Sequence, residues 1–174
     1  MQALLDRFPG HTLAFLNVAQ GNVYNQPTMA HTVLGSCVAV TFYVPSHGLA
    51  GIFHALLPRA GEYRLHGTEP TPYKFVDSAI AAIVHRLERR GVRRGEIECK
   101  VFGGASALFA EDMSVGRRNV ETAFATLADL GLRVAASNVG GERGRKIVYA
   151  SSTGEIFVRM LNNSTAKAAG QLPR

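Results

Sequence analysis

Residues 32–40, TVLGSCVAV, and residues 48–58, GLAGIFHALLP, decide the fold of this chain. Both runs are rich in the β-branched and aliphatic residues that strands favour. The residues between them include Pro45 and Gly48, which are typical of turns. We therefore predict an antiparallel hairpin with strands at roughly 37–44 and 48–57.

The hairpin contains two residues with the chemistry of a nucleophilic site. Cys37 follows the Gly35-Ser36 turn, and backbone N–H groups together with an imidazole favour the reactive thiolate. His54, in the paired run, is the candidate imidazole. Taken singly, a small buried cysteine and a core histidine are the simpler interpretations. A polar residue in an apolar strand is costly unless it is partnered or used, and this favours the pair as a site.

The rest of the chain predicts further strands and two helices. Residues 12–18 resemble an opening strand, followed by a polar loop with Gly21, Asn25 and Pro27. Helical spacing of apolar residues predicts helices at 73–90 and 114–130, the second capped by Ser114 and with a polar Asn119 in its first turns. The remaining predicted strands are 96–102, 132–137, 146–150 and 155–160.

This order of elements predicts an α+β fold. We expect mixed or antiparallel β-sheets in a layered sandwich, with the two main helices packed on the outside. Residues 1–161 would form a single domain and residues 162–174, small and polar, a disordered tail. Residues 59–72, rich in Gly and Pro, are a candidate loop beside a site.

Composition narrows the function classes. The chain of 174 residues is 47% hydrophobic, 18% charged and carries a formal net charge of +6. No apolar run approaches the ~20 residues that span a bilayer and no basic leader precedes the first apolar residues, so we expect a cytoplasmic protein without membrane insertion. The two cysteines do not make a disulfide framework, and no metal-ligand spacing or nucleic-acid motif is present. The basic surplus favours acidic partners in general; we interpret it first as a solvated basic face and second as a surface for an acidic protein.

Six motifs in this order resemble the CheD family of chemoreceptor glutamine deamidases. They are LGSCVAV (34–40), HALLP (54–58), YKFVDSA (73–79), GGAS (103–106), VGRRNV (115–120) and GGERGR (140–145). The resemblance implies a cysteine hydrolase that converts selected glutamine side chains of methyl-accepting chemotaxis receptors to glutamate and releases ammonia. This hydrolysis requires no metal and no organic cofactor.

The resemblance also implies roles and partners. Cys37 would be the nucleophile and His54 the base, with a threonine before the cysteine as third member; Thr32 is our choice and His31 a possible substitute. Gly35, Ser36 and the Cys37 N–H are candidate oxyanion donors. The implied partners are receptor cytoplasmic domains and a CheC-type phosphatase. Two alternatives stay open: a non-enzymatic regulator of such a phosphatase, and a receptor methylesterase that uses the same dyad.

Overall fold

The computed structural model describes residues 2–63, 71–106 and 114–162, which contain three α-helices and nine β-strands. In chain order these are α1 (Gln2–Arg7), β1 (Thr12–Phe15), β2 (Gln20–Tyr24), β3 (Thr28–Leu34), β4 (Val38–Val44), β5 (Leu49–Ala55), α2 (Val76–Glu88), β6 (Glu98–Gly103), α3 (Val115–Asp129), β7 (Arg133–Val139), β8 (Arg145–Ala150) and β9 (Ile156–Met160).

The predicted hairpin forms the middle of a five-stranded sheet with the order β2-β5-β4-β6-β7. β4 and β5 pair antiparallel, and Ala39 lies opposite His54. The turn between them includes Gly48 at φ +60°, a left-handed conformation that favours glycine. β6 and β7 pair parallel, which requires a crossover connection, and α3 lies in that connection.

A second sheet has four strands in the order β1-β3-β8-β9. β1 and β3 are parallel, whereas β8 is antiparallel to both β3 and β9. β3 and β4 are consecutive in the chain but belong to different sheets. Residues 35–37, which contain Cys37, therefore carry the chain from one sheet to the other.

The elements pack in layers, as predicted. α2 and α3 cover one face of the five-stranded sheet, and the inward residues of α2 are fully or almost fully buried: Val76, Ala79, Ile80, Ile83, Val84 and Leu87. Each buried Val, Ile or Leu side chain of this set contributes roughly 1.5–3 kcal/mol of transfer free energy. A second core, which includes Leu34, Ala39 and Ile52, lies between the two sheets. The predicted α+β sandwich with outer helices is confirmed.

Two local predictions were wrong, and two elements, β3 and α1, were not predicted. β1 ends at Phe15 rather than at residue 18. Residues 20–24 form β2 instead of a loop, because pairing with β5 satisfies the backbone of this polar segment. The short helix α1 was not predicted; Leu4 and Leu5 pack on the outer face of the four-stranded sheet.

Two further expectations fall wholly or partly outside the described residues. They concern the candidate loop at 59–72, of which residues 64–70 are not described, and the tail, of which residues 163–174 are not described. None of the helices in the described ranges combines the length and apolar character needed to cross a membrane.

Candidate active site

Cys37 lies in the crossing between the two sheets, one residue before β4 begins. Its side chain is partly buried and packs against the core between the sheets. The two residues that follow β6 are hydrogen-bonded to this turn. Gly104 N–H donates to the Cys37 carbonyl and Ala105 N–H to the Gly35 carbonyl, each at 2.8 Å. Gly103 has φ +107°, and a Cβ there would collide with the Cys37 carbonyl oxygen. The small-residue motif at 103–106 thus allows close backbone contact with the turn at residues 35–37.

His54 lies near the end of β5 and is only 3% exposed. Its cross-strand partner is Ala39, a member of the core between the sheets. Cys37 precedes Ala39 by two residues, and side chains two apart in extended chain share a face. The thiol and the imidazole therefore face the same layer. Diagonal neighbours of this kind have Cα atoms about 7–8 Å apart, within reach of longer side chains.

Thr32 reaches His54 from the opposite sheet. It lies on β3, is 1% exposed, and its Oγ1 is 2.9 Å from His54 Nδ1. The same hydroxyl donates to the Leu16 carbonyl at 2.7 Å. Because a hydroxyl has a single proton, Thr32 must accept from the imidazole, and Nδ1 carries the hydrogen. This network assigns the tautomer in which Nε2 has a free lone pair.

That free nitrogen is buried and without a hydrogen bond among the described residues. The Cys37 thiol does not donate to it in this structure. Catalytic hydrogen bonds are often long or misaligned without substrate and form only in the complex. Cys37 and His54 are thus a candidate pair whose side chains face one layer without a hydrogen bond between them.

Burial sets the protonation of both groups. Desolvation raises the pKa of the Cys37 thiol above its usual value, and the residue's own backbone N–H offsets this in part. Desolvation lowers the pKa of His54 below 6.5, and the Leu16 carbonyl offsets this in part. Near pH 7 both side chains are therefore neutral. The sequence predicts that the backbone N–H groups of the turn, together with the imidazole, favour the thiolate; in this structure burial outweighs the backbone donor, and the net shift favours the neutral thiol.

The geometry separates the two candidates for the third position. Thr32 contacts His54, whereas His31 is adjacent in β3 and so faces the other side of the sheet. The His31 ring packs edge-on against Phe15, with ring centroids 5.2 Å apart. The structure brings Thr32, and not His31, to the imidazole.

Asn119 is a site residue that the sequence singled out only as a polar residue near the start of a helix. It lies on α3, is fully buried, and its Nδ2 donates to the Ser36 carbonyl at 2.9 Å and to the Leu56 carbonyl at 3.0 Å. Ser36 directly precedes Cys37, and Leu56 lies two residues after His54. The sequence indicates Asn119 only as a polar residue on the apolar face of a predicted helix.

The positive charge is not concentrated at the thiol. Five arginines lie in the C-terminal part of α2 and the turn that follows: Arg86, Arg89, Arg90, Arg93 and Arg94. α2 begins beside Leu57, and its 13 residues extend about 20 Å from there. Closer to the turn, Arg118 is paired with Glu62 and Arg117 with Glu121. The charges of these two arginines are therefore balanced by neighbouring carboxylates.

No three His, Cys, Asp or Glu side chains of residues 2–63, 71–106 and 114–162 lie close enough together to hold a metal ion. The second cysteine, Cys99, is buried in β6 within the helix-facing core. Desolvation raises the pKa of its thiol to about 12. Cys99 is thus a core residue, as the alternating pattern of its strand predicts.

Comparison with known proteins gives a consistent result. The family model described as CheD chemotactic sensory transduction matches residues 56–160. A protein of Oleidesulfovibrio alaskensis named "Probable chemoreceptor glutamine deamidase CheD" is 42% identical over 166 residues, which cover 91% of this chain and 76% of that protein. The Geobacter sulfurreducens protein "Probable chemoreceptor glutamine deamidase CheD 2" is 37% identical over 92% of this chain and 97% of its own length.

The "Chemoreceptor glutamine deamidase CheD" of Thermotoga maritima is 33% identical, over 83% of this chain and 89% of that protein. Among solved structures, the Bacillus licheniformis hypothetical protein YfiH matches with a TM-score of 0.48 and 14% identity, over 78% of this chain and 67% of that one. The family model covers more than half of the chain and the sequence relatives nearly all of it, so the chain belongs to the CheD family.

Proposed function

We propose that this chain hydrolyses the side-chain amide of selected glutamines in methyl-accepting chemotaxis receptors, with Cys37 as nucleophile and His54 as base. One observation carries the mechanism. The hydrogen bond from His54 Nδ1 to Thr32 leaves Nε2 as a free base in the layer that Cys37 faces. The names of the relatives, which are chemoreceptor glutamine deamidases, support the substrate.

Acylation begins from the neutral pair. His54 Nε2 takes the Cys37 proton as sulfur attacks the glutamine Cδ, and the carbonyl oxygen becomes an oxyanion. When this intermediate collapses, the C–N bond breaks and the same proton passes from Nε2 to the leaving nitrogen. The products of this half-reaction are ammonia and a thioester between Cys37 and the receptor side chain.

Deacylation repeats the sequence with water. Nε2 takes a proton from the attacking water, the second tetrahedral intermediate forms, and the C–S bond breaks. The proton returns to sulfur, which restores the neutral thiol. The balance is one amide and one water converted to one carboxylic acid and one ammonia.

The oxyanion needs preorganised donors, and the nucleophile turn offers them. The backbone N–H of Cys37 and the neighbouring Gly35-Ser36 N–H groups are the donors that we propose. One well-placed donor of this kind contributes about 10²–10³ in kcat in hydrolases. The hydrogen bonds accepted by the carbonyls of Gly35, Ser36 and Cys37 keep the backbone of this turn rigid.

The proposed macromolecular partners follow from the reaction. The substrate is the cytoplasmic signalling domain of a chemoreceptor, so the reaction would take place in the cytoplasm. A CheC-type phosphatase is a second proposed partner, implied by the family resemblance. Binding of such a partner near the Cys37 turn would compete with the receptor.

Mass measurement of a receptor fragment tests the proposed function. A purified cytoplasmic fragment of a chemoreceptor is incubated with the protein, and its glutamine-containing peptides are compared before and after. Each converted glutamine gains about one mass unit, since NH₂ is replaced by OH, and one ammonia is released per conversion.

The same spectra separate the alternatives. Loss of a methyl ester of about fourteen mass units, with glutamines unchanged, would replace deamidation by methylesterase chemistry on the same acyl-transfer scheme. An unmodified fragment, together with tight binding of a CheC-type phosphatase, would instead favour a non-enzymatic regulator.

Replacing Thr32 by valine is expected to lower kcat about 10²-fold with little change in KM. Valine keeps the shape but removes the acceptor of His54 Nδ1–H, so the imidazole loses the contact that selects its tautomer. The measurement is steady-state deamidation of the receptor fragment.

Thr41→Val is the matched control for Thr32→Val. Thr41 is also 1% exposed and lies on β4, two residues from Ala39 on the same face, but no hydrogen bond joins it to His54. We expect it to keep wild-type kcat. Equal activity of Thr32→Val and Thr41→Val would remove Thr32 from the mechanism.

A further inference from the structure

Asn119 connects the two segments that carry the proposed nucleophile and base. Its amide nitrogen reaches the Ser36 carbonyl at 2.9 Å and the Leu56 carbonyl at 3.0 Å, although the three residues lie on separate elements. The side chain is fully buried, and its Oδ1 has no hydrogen-bond partner among the described residues. An unpaired buried acceptor destabilises the folded state, so packing alone does not account for an asparagine at this position.

The Ser36 contact bears on the chemistry because of peptide geometry. The Ser36 carbonyl and the Cys37 N–H belong to one planar trans peptide unit, in which the two bonds point in opposite directions. Whatever holds the carbonyl oxygen therefore fixes the direction of the Cys37 N–H.

The neighbouring carbonyls are held in the same manner. Gly35 O accepts from Ala105 N–H and Cys37 O from Gly104 N–H, so three consecutive carbonyls of the turn accept from the two residues that follow β6 and from α3. The N–H groups of Gly35, Ser36 and Cys37 donate to no other described residue. Of the three carbonyls, only Ser36 O is held by a side chain, and a side chain can be replaced without altering the backbone.

We propose that Asn119 is a positioning residue for the oxyanion hole: by holding the Ser36 carbonyl it aims the Cys37 N–H at the oxygen of the tetrahedral intermediate. This inference rests on the proposed function. The second hydrogen bond, to Leu56 O, joins α3 to the segment that follows β5, whereas His54 itself is held by the pairing of β5 with β4. Hydrogen bonding to a carbonyl also polarises the peptide unit and strengthens its N–H as a donor.

Two variants and two reactions test the proposal. Asn119→Asp keeps the shape but places an acceptor against both carbonyls, and Asn119→Ala removes the donors. Deamidation of the receptor fragment passes through an oxyanion, whereas alkylation of Cys37 by iodoacetamide does not. Peptide mapping by mass spectrometry reports alkylation at Cys37 separately from Cys99.

We expect both variants to lose about 10²-fold in kcat for deamidation, with KM within about twofold, in line with the loss of one oxyanion donor. Alkylation of Cys37 should stay within about threefold of wild type, because the thiol and His54 are intact. The matched control is Thr122→Val, a buried position on the same helix, which should match wild type in both reactions.

Several results would overturn the inference. These are wild-type kcat in both variants, a fall in alkylation as large as the fall in deamidation, or failure of both variants to fold, which would assign Asn119 to stability alone. A wild-type protein with no deamidation of receptor fragments contradicts the proposed function and the inference with it. An active wild type and equally active Asn119 variants contradict the inference alone.

Discussion

Cys37→Ala is expected to leave no measurable deamidation of a receptor fragment, a loss of about 10⁴-fold or more. Without sulfur no thioester forms, and the remaining imidazole and N–H groups have no nucleophile to activate or acyl group to stabilise. The thiol contributes little to the core, since it is only partly buried, so the variant should fold normally. The measurement is the mass of glutamine peptides together with released ammonia.

Cys99→Ala is the matched control for this variant. It removes the other thiol, which is buried on β6 and has a pKa near 12. We expect its activity per folded molecule to stay within about twofold of wild type, with a lower melting temperature because a core atom is lost. Retained deamidation by Cys37→Ala, or loss only in Cys99→Ala, would end the covalent mechanism.

His54→Ala is expected to lower kcat by about 10³-fold, within the range that general acid-base groups contribute. The buried thiol has a raised pKa, so few molecules carry a thiolate near pH 7 unless a base takes the proton. The histidine also supplies the proton to the departing ammonia. Among the described residues, the proposed site offers no other side chain to donate this proton. The measurement is steady-state deamidation.

The pH dependence adds an independent readout for His54. A base must be neutral to act, and burial lowers the pKa of this imidazole below 6.5. The acid limb of kcat/KM in the wild type should therefore lie below pH 6.5, and activity should fall as the pH decreases through the lowered pKa of His54. His54→Ala should lose this limb.

His31→Gln is the matched control for His54→Ala. His31 lies one residue from Thr32 in β3 but faces the outer side of the sheet, against Phe15. We expect its kcat to equal that of wild type. A large loss in His31→Gln with activity retained in His54→Ala would show that the wrong histidine has been assigned.

Much of the fold was accessible from local patterns. The hairpin followed from two apolar runs and a Pro-Gly turn, and the two main helices from apolar spacing with Ser114 as cap. β2 was missed because its residues are polar and only the hydrogen bonds of β5 make them a strand. α1 was missed because a helix of six residues has little intrinsic stability and depends on the sheet beneath it.

The proposed site shows the same division. Cys37 and His54 were candidates because a turn precedes one and the other interrupts an apolar strand. The choice between Thr32 and His31 needed strand direction, since alternation places neighbours on opposite faces but does not say which face meets His54. Asn119 could be noticed as a misplaced polar residue, but its two partners lie 83 and 63 residues away in the chain.

The sequence by itself determined the strands of the hairpin, the two main helices, the candidate thiol and imidazole and the family resemblance, because each depends on residues that are close together in the chain. Only the tertiary structure decided which sheet each strand joins, that Thr32 accepts from His54, and that Asn119 holds the turn. Those contacts join distant segments, and burial between the sheets, which leaves both the thiol and the imidazole neutral, exists only after the layers have packed.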